Sequence, residues 1–437
     1  MIANDCQIDF ERIQRSKSDA VEGSRVNGSA GNVANGGGKA PDQRKEFRNR
    51  KGTQANGHAS PAPASDQRDK YFWQTYPSSF SMERLDWILD VFTNFRGIGW
   101  NWQTNGVPPP PAHVEAQLAG RTDAEGKDGT VRTSMTGVRR YSDRTKLLRA
   151  IAINLAYSYV ALDVVKAIMH HDPYFWGYVD APAPAWLPVA VRSSLFLTKT
   201  WRLLISLWAI YTALCTVFRL GPAFFCGILG SEWAGLRGEA WMNPYDMYGA
   251  YSNILDKGLA GWWGGWWHQI FRFGFEAPAT GLLAVIGVDK RKTTGKVISL
   301  LMAFFLSGCL HASGSYTQLG DTRPLLGPMR FFLLQAFGIM LQIIGVEVLK
   351  RTGVVGRCPK VVRRFANFVL VHVWLFYTAP LLVDDFARGG IWLFEPVAIS
   401  PLRGLGFGQP DDGWWCWEHQ RIWWRSGKHW WDTGIVA

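Results

Sequence analysis

Cysteine is scarce in this chain, and its few residues carry no pattern. Cys6, Cys215, Cys226, Cys309, Cys358 and Cys416 show no paired spacing in 437 residues. That excludes a disulfide framework or a zinc site as the organising element. Large apolar side chains are almost missing from Met1–Lys70, which is rich in Gly, Asn, Ser, Ala, Arg and Lys. Such a stretch buries too little surface to offset its chain entropy, so it is expected to be disordered. Met1 opens onto polar residues with no apolar h-region. No cleavable signal peptide is expected, and membrane insertion must rest on helices further along. Acidic charge is in deficit, with 35 Asp and Glu against 47 Lys and Arg, a net +12. The basic residues are scattered beside hydrophobic runs, not gathered on one polar domain. An anionic membrane surface or an anionic cosubstrate accounts for them better than nucleic acid, which is not expected as a partner. No internal repeat is visible.

What is present is apolar and aromatic: 47% hydrophobic residues, 14% aromatic residues and 23 tryptophans. A mean hydropathy of −0.06 hides a sharp partition between the polar start and the long apolar runs that follow. Five runs approach the roughly 20 residues needed to cross a bilayer: Leu147–Met169, Leu203–Leu229, Val297–Ala312, Phe331–Leu349 and Phe365–Val383. Leu187–Leu197 and Pro278–Val288 are shorter and read as half-spans or re-entrant pieces. Met82–Phe92 spaces apolar residues at helical period with acids between them, which suits an interfacial amphipathic helix. The basic loop Lys350–Arg364 is the best cytoplasmic candidate by charge. The tail Gly408–Ala437 is dense in tryptophan, as an interface anchor would be. The fold class is therefore all-α and multi-pass transmembrane, with the polar tail 1–70 followed by a membrane-embedded domain over 71–437.

Within this frame one histidine stands out. His311 ends the stretch Ser307-Gly308-Cys309-Leu310-His311 inside an apolar run bounded by Lys290, Arg291, Lys292 and Lys296. Fifteen helical residues from Lys296 to His311 rise about 22 Å, well into a hydrocarbon core roughly 30 Å thick. An ionisable side chain at that depth is costly and usually functional. The second stretch is Trp262-Trp263-Gly264-Gly265-Trp266-Trp267-His268-Gln269-Ile270-Phe271-Arg272. A helical reading puts His268 and Arg272 four apart on one face. Elsewhere, Asp163 and Arg219 lie in apolar runs and are expected to pair between helices. His372 reads as a satisfied core or interface histidine. His170 and His171 diverge by about 100° on a helix and make no convincing metal pair. Arg272, Arg323 and Arg330 are as consistent with lipid headgroups as with the phosphates of an anionic cosubstrate. No metal site is expected.

Together, Trp-Trp-Gly-X-X-Trp-His-Gln followed by Arg, and then Ser-Gly-X-X-His some 35 residues on, resemble the wax synthase-like branch of the membrane-bound O-acyltransferases. The resemblance runs from about Tyr71 to the C-terminus. It includes Arg96-Gly97-Ile98-Gly99-Trp100, Asn243-Pro244 and Asp411-Asp412-Gly413-Trp414-Trp415. It implies that His311 matches the catalytic histidine and His268 the second polar position. It also implies acyl-CoA, most simply acetyl-CoA, as cosubstrate with no permanently bound cofactor. The implied acceptor is a lipophilic alcohol of terpenoid or meroterpenoid type, and the implied setting is the endoplasmic reticulum membrane. Trp267, Ser307 and Arg272 stand as substrate-binding candidates. The chain departs from the branch at Gly265, where relatives often carry a basic residue. It also has the polar stretch 1–70 where relatives carry further transmembrane helices.

The chemistry agrees with the resemblance. A free hydroxyl is a poor nucleophile and needs a base, for which histidine near its ordinary pKa of about 6.5 is suited. A thiol of pKa near 8.5 leaves without a strong acid. The tetrahedral oxyanion needs a donor, for which His268 or the Trp267 indole is available. No serine or cysteine sits in a recognisable nucleophile setting, so direct transfer is expected. The nearest rival within this chemistry is a long-chain wax ester synthase. Outside it stand a transporter using His311 as a relay, which would predict inverted repeats, and a catalytically inactive homologue.

Overall fold

A computed structural model describes residues 9–16, 70–121, 132–318, 320–417, 423–430 and 433–436. Among the described residues five segments are long and apolar enough to cross a membrane: Arg144–His170, Leu195–Gly238, Thr293–Tyr316, Leu325–Arg351 and Lys360–Arg388. They contain the five spans expected from hydropathy. Their starts follow local side-chain chemistry. Asp143 caps the first with its carboxylate accepting from Lys146 N at 2.7 Å, and Ser194 caps the second by accepting from Leu197 N. Each cap satisfies a backbone N–H that the helix itself cannot. The second span runs as α-helix over Leu195–Pro222 and continues as a π-helical segment, Ala223–Leu229. Of the two short apolar pieces, Leu187–Leu197 leads directly into the second span through a single turn, Val189–Arg192. Pro278–Val288 belongs to a 14-residue helix, Arg272–Val285, too short to cross alone.

The amphipathic reading of Met82–Phe92 holds as the helix Met82–Thr93. Met82, Leu85, Leu89 and Phe92 are exposed on its apolar face. Asp86 and Asp90 face the protein, where Arg12 and Arg237 bond to them.

Most of the stretch 1–70, expected to be disordered, lies outside the described residues. Residues 9–16 do not, and here composition misled. Arg12–Ser16 is a strand paired antiparallel with Lys70–Gln74, Arg12 facing Gln74 and Ser16 facing Lys70. Ile13 is buried against Val114, Leu236 and Trp241, and its N–H donates to Gly99 O at 2.7 Å. Arg12 is buried on Asp86 and Asp90. One apolar side chain and one doubly paired guanidinium suffice to fix a short strand when a partner strand is waiting.

A second correction concerns Asp163 and Arg219, which do not pair. The Asp163 carboxylate accepts from Ser400 Oγ and from Leu402 N, tying its helix to the C-terminal segment. Arg219 instead lies over the Tyr245 ring at 5.1 Å. His170 joins the same clamp as Asp163. Its Nε2 is 3.0 Å from Glu395 Oε1, and Arg403 grips Glu395 through two bonds of 3.1 and 2.7 Å. Burial opposes the Glu395 charge, but His170, Lys166 and Arg403 outweigh it and hold the carboxyl down at about 2. In the tail, Trp414, Trp415, Trp417, Trp424 and Trp430 are exposed, as interface anchors would be.

Candidate active site

Two apolar clusters frame a cavity. One gathers Val165, Met169, Ile205, Ala209, Val383 and Trp392. The other gathers Trp262, Phe304, Phe331, Phe332 and Val371. Between them lies a space of about 990 Å³, large enough for a multi-ring molecule. Its wall is almost wholly apolar, and its polar side chains are Lys166, Thr200, His268, His311, His372 and Tyr377. Phe196, Leu204, Val373 and Tyr377 belong both to this wall and to the exposed apolar flank of the Leu195–Pro222 and Lys360–Thr378 helices.

His311 sits five residues before the end of the helix Thr293–Tyr316. Its Nδ1 is 3.0 Å from Ser307 O. A carbonyl only accepts, so Nδ1 carries the proton and Nε2 is left with the lone pair. The ring packs on Phe332 at 4.4 Å. Ser307 therefore acts on His311 through its backbone and does not line the cavity. Gly308 explains the small residue in the motif. A Cβ there would fall 2.7 Å from Met329 Sδ, so a larger residue would have to displace the Met329 side chain that the Leu325–Met329 turn packs against the His311 helix.

The helical reading of the tryptophan stretch needs correction. Trp262–Trp266 is a π-helical turn, and Trp267 leaves it with φ −61 and ψ 150, an extended conformation. His268 therefore lies in a loop, and Arg272 begins a separate helix, Arg272–Val285. The two do not share a helix face. Arg272 bonds to Glu276 at 2.7 Å and to Gln269 Oε1 at 3.0 Å, and it does not line the cavity. Turning the chain at Trp267 is what brings His268 round to face the same cavity as His311. An aromatic series joins them: His311 to Phe332, Phe332 to Trp263 at 5.8 Å, Trp263 to Trp267 at 5.8 Å, and Trp267 to His268 at 5.2 Å. Gly265 is needed beneath this turn, because a Cβ would lie 2.7 Å from Asn253 Cβ and Cγ.

Burial, with the neighbouring charges of His311 and Arg96, pushes His268 down to about 4. The ring is thus neutral near pH 7. Its Nδ1 is buried with no hydrogen-bond partner among the described residues. A buried unpaired polar atom is rare and marks either strain or a place where a ligand completes the bonding.

Sequence reasoning singled out neither Lys166 nor Arg96 as a site residue. Lys166 carried a signal, a lone ammonium in an apolar run. Arg96 is half-buried and donates to Asp246 O at 3.3 Å, and desolvation lowers it to about 10. His372 lines the cavity while its Nδ1 bonds to Phe368 O at 2.7 Å. Arg323 and Arg330 are exposed and outside the lining.

The profile of the membrane bound O-acyl transferase family matches residues 244–334, the stretch that holds both histidines. The chain is similar to the O-mevalon transferase yanI of Aspergillus niger, 26% identical over 341 residues, 73% of this chain and 63% of that protein. It is 23% identical to the acetyltransferase aurG of Calcarisporium arbuscula over 75% of this chain and 71% of aurG. It is also 23% identical to the acetyltransferase pyr8 of Aspergillus fumigatus over 76% of this chain and 72% of pyr8. The match thus spans less than two thirds of the yanI protein. No solved structure matches this chain. The profile match is centred on the stretch that carries His268 and His311, the two histidines that line one cavity.

Proposed function

We propose that the protein is a multi-pass O-acyltransferase of the endoplasmic reticulum membrane. It moves an acyl group, in the simplest case acetyl, from acyl-CoA to a hydroxyl of a lipophilic secondary metabolite of terpenoid or meroterpenoid type. The observation that carries this is His311, with Nδ1 committed to Ser307 O, lining a large apolar cavity shared with His268. His311 Nε2 takes the proton as the acceptor hydroxyl attacks the thioester carbonyl. The carbonyl oxygen becomes an oxyanion, to which the neutral His268 donates a hydrogen bond. Collapse of the tetrahedral species breaks the C–S bond. The CoA thiolate leaves and recovers the proton from the His311 imidazolium, so the ester and free CoA are the products. The names of the relatives, acetyltransferases and an O-mevalon transferase, support acyl transfer and leave the acyl group variable.

His311→Ala is expected to lower turnover by about 10²–10⁴-fold, the usual loss of a positioned base, while membrane insertion is retained. The measurement is free CoA thiol released in microsomes with acceptor present, normalised to inserted protein. Transfer at the wild-type rate by the variant refutes the assignment.

A further inference from the structure

The cavity holds a charged group far from the two histidines that acyl transfer does not use. Lys166 lines the wall from the helix Arg144–His170, with its side chain buried. An ammonium has three N–H donors and no acceptor. Trp392 O takes one, and Glu395 Oε1 lies 3.6 Å away. Glu395 is shared, because Arg403 bonds both its oxygens and His170 adds a third contact. Lys166 is thus one of several cations on the clamp, and with two partners for three N–H groups it keeps a donor at the cavity wall. At the same wall the Thr200 hydroxyl is already committed to Phe196 O at 2.8 Å.

The helix Leu195–Pro222 runs along the cavity and gives a scale. Lys166 lies between Val165 and Met169, which pack with Trp392 on Ile205 and Ala209. The His268 end packs on Tyr211, Leu214 and Cys215. From Ile205 to Leu214 the helix rises about 13 Å at about 1.5 Å per residue. The wall between the two ends is apolar.

We propose that Lys166 is a specificity-determining residue that hydrogen-bonds an oxygen at the end of the acceptor opposite the reacting hydroxyl. The inference rests on the acyltransferase reading for which hydroxyl reacts, and it narrows the substrate class. The acceptor is a rigid apolar body about as long as three or four fused rings, carrying a hydroxyl at one end and a carbonyl, hydroxyl or carboxylate oxygen at the other. The arrangement is selective because a buried donor left unpaired by an acceptor lacking that oxygen penalises binding.

Two probes test this: epiandrosterone, a four-ring alcohol with a ketone at its far end, and its deoxo analogue, which lacks the ketone. The full chain is placed in nanodiscs. Binding is read by quenching of tryptophan fluorescence, and transfer is read with radiolabelled acetyl-CoA. The wild type should bind and acetylate the ketone about tenfold or more better than the analogue, as expected for a hydrogen bond to a charged group. Lys166→Gln and Lys166→Met should bring that ratio close to one, by weakening the ketone and by relieving the analogue of the unpaired donor, with KM for acetyl-CoA unchanged. Gln keeps a donor for Trp392 O, so an equal loss of ratio in both variants traces the effect to the ammonium rather than to unfolding. Failure of the wild type to bind either probe, equal affinity for both, or a ratio that survives in both variants overturns the proposal. A Lys166-dependent binding ratio without acetyl transfer upholds it and refutes the acyltransferase reading instead.

Discussion

Neutral imidazole is the form of His268 that the proposed reaction needs, and its environment enforces it. The folded protein holds this ring at about 4 against an ordinary 6.5, with burial as the first cause. A depressed pKa means that the unfolded chain binds the proton first. The stability contributed by a neutral His268 is complete above about pH 6.5 and is lost as pH falls toward about 4, a change of order 3 kcal/mol. Thermal unfolding in nanodiscs between these limits should show a midpoint that drops with acid in the wild type. His268→Gln should flatten that slope, and an unchanged slope refutes the account. Single residues also show what the sequence displays and what it conceals. His311 stood out in the sequence as a titratable group deep in an apolar run, and the structure places it on the cavity wall. The motif around His268 was legible, but its backbone was not. Helical periodicity carried the reading straight through Trp267, where packing between Gly265 and Asn253 turns the chain. Close approach of this kind is a property of the partner segment, which spacing along one segment does not encode.

At the scale of elements, hydropathy located all five spans because length and apolar content are local properties. The strand Arg12–Ser16 escaped for the opposite reason. Five mixed residues carry no periodic signal, and their order comes from Lys70–Gln74 and from two aspartates on a distant helix. Arg12→Ala should therefore lower stability by about 1–3 kcal/mol, the range for leaving a polar partner uncompensated. Ser16 and Lys70 face each other in register, so joining them directly with a short turn satisfies the same pairing. Replacing residues 17–69 by such a turn should leave the unfolding midpoint and acyl transfer unchanged. Fluorescence-detected size exclusion after heating distinguishes the two variants. Equal midpoints for Arg12→Ala and wild type would show that the strand does not anchor the helix Met82–Thr93.

At the scale of the whole molecule, the cavity sets the order of events. Among the described residues no serine or cysteine appears in its wall, and the one aliphatic hydroxyl there, Thr200, is committed to Phe196 O, which favours direct transfer in the proposed reaction. The proposed reaction then needs both substrates bound together. Initial rates with acetyl-CoA and acceptor varied in turn should give intersecting reciprocal plots. Parallel plots, or radiolabelled acyl trapped on the protein, would reveal a covalent intermediate.

The flank of that cavity has a consequence for how the proposed reaction would respond to its acceptor. Phe196, Leu204, Val373 and Tyr377 belong at once to its wall and to the exposed apolar face of two spans. On the proposed reading, an acceptor dissolved in the bilayer would reach the histidines sideways between those helices, without passing through water. What the protein then samples is surface concentration, the mole fraction of acceptor among lipids. Adding inert phospholipid at fixed total acceptor should slow the reaction as dilution in two dimensions. Half-saturation should stay constant in mole per cent while rising in proportion to lipid when expressed per litre. Acetyl-CoA, arriving from solution, should keep a half-saturation that ignores the added lipid.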